Sequence, residues 1–576
     1  MDMTLLMSQQ KNWGAVASSS EQFFPVVFQL SAGNDRELKN LASHYEDLLR
    51  STDKYLVDIA YSLHKQSALG NHIVLIIAES KEQVVAGLRA YQKGEDFEGL
   101  VSGFVEGKES PKVAFICSGQ GPLWHAMGRE LVETSGVFRQ VLKEIDKIFH
   151  RLSGNSLLEE MNQTPETTRI GDFRVAQPVT TAIQIGLVHM WKELGVVADG
   201  FVGHSVGEVA AAYGAGAFTL EQAVEVIYTR SKVQDRAAGA GVMMAVGLSL
   251  FDAMKEIWGV EDRVSVAAIN GPEMLTLSGD REPLEAIAQR LEKKDVFNKI
   301  LSVTVPSHSH HMVPLKEELL NNLASLKPTE ARVPLYSSVT GNQENGLHLN
   351  KDYWYNNVRY TVYFTAAIER MIEDGYNTFV EIAPHPMLAT SVKEMLGAMK
   401  KDGHVIASIG RDINKMEQGG SFEGSSFLQG AAQLSLAGVR VNWDEAFNKF
   451  GAREVMLPPV GQAWQEELVN VDEKESEDVN LASDLLDQPQ KGAILESSEL
   501  ENELQILIAG ILEVEVDTIG LDKSLSKMGM NSPMLYALQE WIEAKIDFPF
   551  PMGKIAKGPS ITELAQEIVE SVYTNR

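Results

Sequence analysis

A Gly-His-Ser-Val-Gly pentapeptide spans residues 203 to 207, followed by an arginine at position 230 and a histidine at position 308. A serine flanked by glycines on a sharp strand-to-helix turn presents its hydroxyl to substrate. An arginine in reach selects substrates that carry a carboxylate, which its fork of N–H donors can hold at two points. The combination implies an enzyme that takes a charged acyl group onto Ser205 and passes it on. The glycine–serine spacing alone is a weak signal. With 46 glycines in 576 residues, about 0.3 such matches arise by chance. The elements around the serine carry the rest.

Val113–Cys117 reads as a buried strand running into Ser-Gly-Gln-Gly, and Gly200–Gly203 as a second strand leading to the serine, with helices between them. Upstream, Pro25–Leu30 and His72–Ile77 read as strands. A helix with Leu38, Leu41, Tyr45, Leu48 and Leu49 on one face lies between them, and another spans Lys81–Tyr91. These make a small α/β unit over 24–108. Further on, strand 243–248, helix 251–258, strands 264–269 and 274–278, helix 283–293 and strand 298–303 follow one another. That βαββαβ order is the ferredoxin-like pattern, expected as an insert over about 238–304. The larger fold resumes and ends near 415. Residues 1–23 are polar and aperiodic, expected as a mobile tail. Residues 466–492 are acidic and poor in aromatics, as a solvated linker is. From 493 to 576 helical periodicity returns. Leu500, Leu504, Leu507, Ile508, Ile511 and Leu512 form one apolar face, and Leu535, Leu538, Trp541 and Ile542 another. Ser560-Ile-Thr-Glu563 reads as a capping box that opens a last helix.

The chain has 576 residues, 44% of them hydrophobic and 23% charged, with a formal net charge of −28. Such acidity repels nucleic acid and suits a soluble protein or one that docks on basic surfaces. A single cysteine, Cys117, excludes an internal disulfide and fits a reducing cytoplasm. Met1–Gly14 lacks the basic-then-apolar order of a secretory signal, and no apolar run approaches ~18 residues, so no membrane span is expected. Cytoplasmic localisation is the expectation. His308, His310 and His311 invite a metal, but no cysteine or paired carboxylate in the sequence completes a shell, so none is expected.

Several segments together resemble the acyltransferase domains of polyketide and fatty acid synthases. Phe115-Ile-Cys-Ser-Gly-Gln-Gly-Pro-Leu-Trp-His-Ala-Met-Gly128 is similar to their opening, and Gly203-His-Ser-Val-Gly-Glu208 to their nucleophile motif. Tyr228-Thr-Arg230 resembles their arginine segment, and Val305-Pro-Ser-His308 stands where they carry the catalytic histidine. Trp354–Phe364 and Glu381-Ile-Ala-Pro-His-Pro386 resemble the closing stretch. The resemblance covers 109–415 and extends outward. Residues 24–108 resemble the ketosynthase-to-acyltransferase linker. Within 416–465, Trp443 and Leu457-Pro-Pro-Val-Gly-Gln-Ala-Trp464 resemble the post-acyltransferase strap, although some of its usual aromatics are missing. Met528-Gly-Met-Asn-Ser532 resembles the phosphopantetheine attachment motif of acyl carrier proteins. It departs in two places: Asn531 stands where the family has Asp, and Pro533 where an apolar residue is usual.

The resemblance implies a parallel-sheet, α/β-hydrolase-like acyltransferase core with a ferredoxin-like insert. A small α/β linker domain precedes this core, and a four-helix carrier bundle follows it. It implies Ser205 as nucleophile and His308 as its base, oriented by backbone carbonyls rather than by a carboxylate. The backbone N–H groups of Val206 and Gln120 would form the oxyanion hole. Arg230 would grip the free carboxylate of a malonyl-type group. His204 would support the site from behind, and His125 and His385 would pack its edge. Val206 looks malonyl-like, whereas the small Ser307 leaves room for an α-methyl. Malonyl is thus the first expectation and methylmalonyl the second. Ser532 would carry 4'-phosphopantetheine, attached by a phosphopantetheinyl transferase, and acyl-CoA would be the donor. A ketosynthase or other polyketide synthase modules are the expected partners, served by starter loading or by supply in trans. Two alternatives stand beside this reading: a serine hydrolase that strips acyl groups from carriers, and a non-catalytic carrier or docking scaffold.

Overall fold

The computed structural model describes residues 25–66, 70–105, 110–121, 123–410, 423–448, 451–458, 497–512, 514, 516–528, 538–539, 541–542, 545–546, 550, 554–555 and 559–574. The expected tail 1–23 and linker 466–492 fall outside these residues, as does Ser532 with Asn531 and Pro533. Two compact units emerge, Met1–Pro458 and Pro459–Arg576.

The first unit opens with β1 (Val26–Ala32), α1 (Asp35–Ser51), α2 (Leu56–Gln66), β2 (His72–Ala78), α3 (Lys81–Lys93) and β3 (Leu100–Phe104). Local signals start the helices. Asn34 accepts the Glu37 N–H ahead of α1, and Ser80 accepts the Gln83 N–H ahead of α3. The three strands pair antiparallel in the order β1-β2-β3. The helix α2 and strand β3 were missed in the sequence. β3 is partly exposed and carries a glycine, so it has no clean apolar alternation.

The body of the unit is a six-stranded sheet. It is built from β4 (Val113–Cys117), α4 (Phe173–Glu193), β5 (Gly200–Gly203), α5 (Glu208–Gly214) and α6 (Leu220–Gln234). Between α6 and the rest comes the insert: β6 (Val242–Val246), α7 (Leu250–Glu256), β7 (Val264–Gly271), β8 (Met274–Gly279), α8 (Arg281–Glu292) and β9 (Asn298–Ile300). Then follow β10 (Leu335–Ser337), β11 (Asn342–Glu344), α9 (Lys351–Arg359), β12 (Thr378–Ile382), β13 (His404–Ala407) and α10 (Glu423–Leu436). The sheet order is β11-β10-β5-β4-β12-β13, parallel apart from the antiparallel edge strand β11. β4 and β5 are central and fully buried, which is why they read as unbroken apolar runs. The insert is an antiparallel sheet in the order β7-β8-β6-β9. Its first strand lies between its third and fourth, as in the ferredoxin-like pattern.

The boundary at 108 does not divide the core. Val26, Phe28, Leu38 and Ile76 belong to one continuous apolar cluster with Phe115, Phe201 and Trp191. The segment after β13 joins it as well. Phe427 of α10 packs on Trp191 with ring centroids 4.5 Å apart. Farther along, the Arg453 and Val455 N–H groups donate to Asp58 Oδ1 and Ser62 Oγ of α2, at 2.7 and 2.8 Å. Each large side chain buried this way contributes roughly 2 kcal/mol.

In the second unit, α11 (Ser497–Ile511) and α12 (Ile561–Thr574) share a core of Leu500, Leu504, Ile508, Leu538, Ile542, Phe550, Leu564 and Ile568. Ser560 and Glu563 make the reciprocal cap at the start of α12.

Candidate active site

The serine sits where β5 turns into α5. Two glycines let the turn close. A Cβ on Gly207 would lie 2.0 Å from the Cys117 carbonyl oxygen on β4, and one on Gly203 would lie 2.2 Å from the Glu208 Cα. Both exceed what packing can absorb, so the elbow needs glycine on each side of the serine. Ser205 itself adopts φ +52°, and His308, on the segment after the insert, adopts φ +61°. Left-handed conformations at two non-glycine residues are costly and are held only by their surroundings.

Those surroundings bring the two side chains together. Ser205 Oγ lies 2.8 Å from His308 Nε2, and His308 Nδ1 donates to the Tyr360 carbonyl oxygen at 2.8 Å. The Nδ1 contact fixes the tautomer that leaves Nε2 bare and ready to accept the serine proton. The orienting partner is a backbone carbonyl and not a carboxylate. Burial, followed by the Arg230 charge, pushes the His308 imidazole down to about 3, so it is neutral at physiological pH.

Arg230, on α6, is fully buried. Its Nη2 donates to Ser205 Oγ at 3.1 Å, its Nη1 to Gln177 Oε1 at 2.6 Å and its Nε to Asn357 Oδ1 at 3.1 Å. Burial lowers the guanidinium to about 9 and the charge of Glu208 works the other way, which leaves it cationic at neutral pH. Gln177 also reaches the Gln120 side chain at 3.4 Å. Val206 is buried at the elbow. Ser307 is 7% exposed and accepts from Gln234 Nε2 at 3.1 Å. His204 Nε2 meets Asn270 Oδ1 of β7 at 2.8 Å, tying the elbow to the insert. His125 Nε2 lies 2.6 Å from the Gln163 carbonyl oxygen.

Gln177 and Asn357 were not singled out in the sequence. The signal for Gln177 was available: Gln177 and Gln184 are polar residues seven apart in α4, hence on one face, among a long run of apolar side chains. Gln184 Nε2 donates to the carbonyls of Ser118 and Ile382, pinning the turn after β4. Asn357 lies inside the quoted stretch Trp354–Phe364 without any feature that marks it.

The histidine pair after the catalytic segment gains a carboxylate that the sequence did not offer. Asp280 Oδ1 lies 3.2 Å from His310 Nε2 and 2.9 Å from His311 Nε2. Its Oδ2 accepts from Arg263 Nε at 2.8 Å. The two histidines join the insert to the segment that follows His308 through their contacts with Asp280.

Comparison with known proteins identifies the family of the two folded regions. Residues 114–441 match the family model of the acyl transferase domain, and residues 502–568 that of the phosphopantetheine attachment site. The chain is 32% identical over 517 residues to polyketide synthase GfsA of Streptomyces halstedii, covering 89% of this chain and 6% of that protein. It is 33% identical over 439 residues to erythronolide synthase EryA2 of Saccharopolyspora erythraea, covering 75% and 12%. The chain thus spans only a small part of the length of these curated relatives. Among solved structures, the acyltransferase domain from module 8 of the salinomycin polyketide synthase aligns with a TM-score of 0.67 at 28% identity, covering 73% of this chain and 98% of that one. The acyltransferase domain from the second module of the same synthase aligns with a TM-score of 0.60 at 30% identity, covering 75% and 98%. Among the described residues, no helix is long and apolar enough to cross a membrane.

Proposed function

Because this chain belongs to the polyketide synthase acyltransferase family and carries a phosphopantetheine attachment domain behind the acyltransferase, we propose that it moves a malonyl-type acyl group from CoA, through an ester on Ser205, to a carrier thiol. The observation that carries the residue roles is the convergence of Ser205 Oγ on His308 Nε2 at 2.8 Å and on Arg230 Nη2 at 3.1 Å.

In the first half-reaction the Ser205 proton passes to His308 Nε2 as Oγ attacks the thioester carbonyl. The N–H groups of Val206 and Gln120 receive the oxyanion. The C–S bond breaks, and His308 returns the proton to the departing CoA sulfur. Arg230 holds the distal carboxylate, which orients the acyl group without touching the reacting carbon. In the second half-reaction His308 takes a thiol proton, the thiolate sulfur attacks the ester carbonyl, the bond from that carbon to Ser205 Oγ breaks, and His308 returns the proton to Oγ. The phosphopantetheine arm supplies that thiol. Ser532, the residue proposed to bear it, lies outside the described residues, so no step rests on the arm's geometry. The tether makes Ser532 the first acceptor, since its arrival is intramolecular. A phosphopantetheinyl transferase would install the arm, and a ketosynthase or neighbouring module would consume the product.

For the acyl unit, malonyl comes first and methylmalonyl second, on Val206 and Ser307. A hydrolase reading is less well supported, because the His308 Nδ1 partner is a carbonyl oxygen. Incubation with a panel of acyl-CoAs, followed by intact-protein and peptide mass analysis, tests the proposal. A malonyl-class adduct on Ser205 is expected, absent in Ser205→Ala. Arg230→Ala should shift preference toward acyl groups without a free carboxylate. Equal loading of acetyl and malonyl by the parent chain would remove the role given to Arg230.

A further inference from the structure

A buried carboxylate behind the reactive serine takes no part in these steps. Glu208 is the first residue of α5 and 4% exposed. It accepts from the Ser338 N–H at 2.6 Å, Ser338 Oγ at 2.8 Å, Tyr353 Oη at 2.5 Å and Asn357 Nδ2 at 3.3 Å. The donors come from the end of β10, the neighbour of β5 in the sheet, and from α9. Burial pushes the Glu208 carboxyl up, and these donors draw it back toward the ionised form, which alone is a pure acceptor.

Asn357 connects this carboxylate to the reaction. Its Nδ2 also donates to the Ser205 carbonyl oxygen at 3.0 Å, while its Oδ1 accepts from Arg230 Nε at 3.1 Å. An amide has one donating and one accepting end. Glu208 and the Ser205 carbonyl both demand the donating end, which leaves the oxygen for the guanidinium. Arg230 is itself fully buried. A buried cation without an opposing charge is expensive, and Glu208 is the carboxylate that acts on it.

We propose that Glu208 is the positioning residue for carboxylate recognition at this site: it orients the Asn357 amide and supplies the buried countercharge that keeps the Arg230 guanidinium aimed at the Ser205 hydroxyl. This rests on the acyl-transfer reading given above. Glu208 touches neither the reacting atoms nor the substrate. Its effect is therefore on selectivity for acyl groups with a free carboxylate, not on the serine–histidine chemistry.

The test uses the full chain and follows CoA release with malonyl-CoA and with acetyl-CoA, separating KM from kcat. Glu208→Gln keeps the shape and removes the charge. Its KM for malonyl-CoA should rise about tenfold or more, with acetyl-CoA kinetics within about twofold of the parent, so the malonyl-to-acetyl preference collapses. Asn357→Ala, which breaks the relay while leaving the carboxylate, should lose the same preference and serves should Glu208→Gln not fold. Tyr353→Phe removes one donor without touching charge or relay and should keep the preference. A Glu208→Gln or Asn357→Ala enzyme that is slower overall but retains the parent's preference would overturn the proposal and leave Glu208 a packing residue. A parent chain that forms no acyl ester on Ser205 at all would instead overturn the acyl-transfer reading itself.

Discussion

At the scale of single residues, burial lowers the pKa of two neighbouring bases and still leaves them in different charge states. His308 is pushed down to about 3, whereas Arg230 stays cationic beside it. Because the imidazole is neutral across the physiological range, kcat/KM for acylation should show no inflection near the ordinary histidine value of about 6.5, and its acidic limb should fall well below pH 5. Stability follows from the same shift. A histidine with a depressed folded-state pKa leaves the folded chain with fewer bound protons than the unfolded one between about pH 6.5 and 3. Its contribution is therefore complete above about 6.5 and is lost as pH falls through that window, by at most about 1.4 kcal/mol per pH unit. Denaturant melts of the parent and of His308→Ala at pH 7 and pH 5 check this. The parent should lose more stability on acidification than the variant, and equal losses would contradict the shift.

At the scale of elements, the elbow between β5 and α5 is the least forgiving piece of the fold. Gly207 lies against the Cys117 carbonyl, so its Cβ position is already occupied by β4. Gly207→Ala should cost about 2–3 kcal/mol, as overpacking of a rigid core does. It should also abolish Ser205 labelling by malonyl-CoA, because the displaced elbow carries the hydroxyl away from His308. Thermal melting and adduct mass give the two readings. Unchanged melting together with full labelling would show that the elbow is softer than its packing implies. The insert reaches the same elbow through the His204–Asn270 contact at 2.8 Å, so the ferredoxin-like layer supports the site and does not merely decorate it.

At the scale of the whole molecule, the proposed acceptor belongs to the same chain as the donor site. Transfer to Ser532 in cis should therefore be first-order in protein. With the carrier pantetheinylated and malonyl-CoA saturating, the rate of carrier acylation per molecule should not change over a tenfold dilution. A per-molecule rate that falls in proportion would assign the transfer to encounters between separate molecules. The sequence by itself determined the elbow motif, the parallel core strands, the βαββαβ insert and the helical carrier. Each is written in local periodicity, in turn residues or in short contiguous motifs. It did not determine α2 and β3, whose patterns are weak, nor the sharing of one core across residue 108. It also did not reveal Gln177, Asn357 or Glu208 as partners of Arg230 and Ser205. Arg230 is separated along the chain by 53 residues from Gln177 and by 127 from Asn357, and Asn357 by 149 from Glu208. At such separations a side chain's role is set by which elements the sheet order brings together. Only the tertiary structure decides that an arginine, ordinarily a surface charge, is instead sealed beside a serine with an amide on either side.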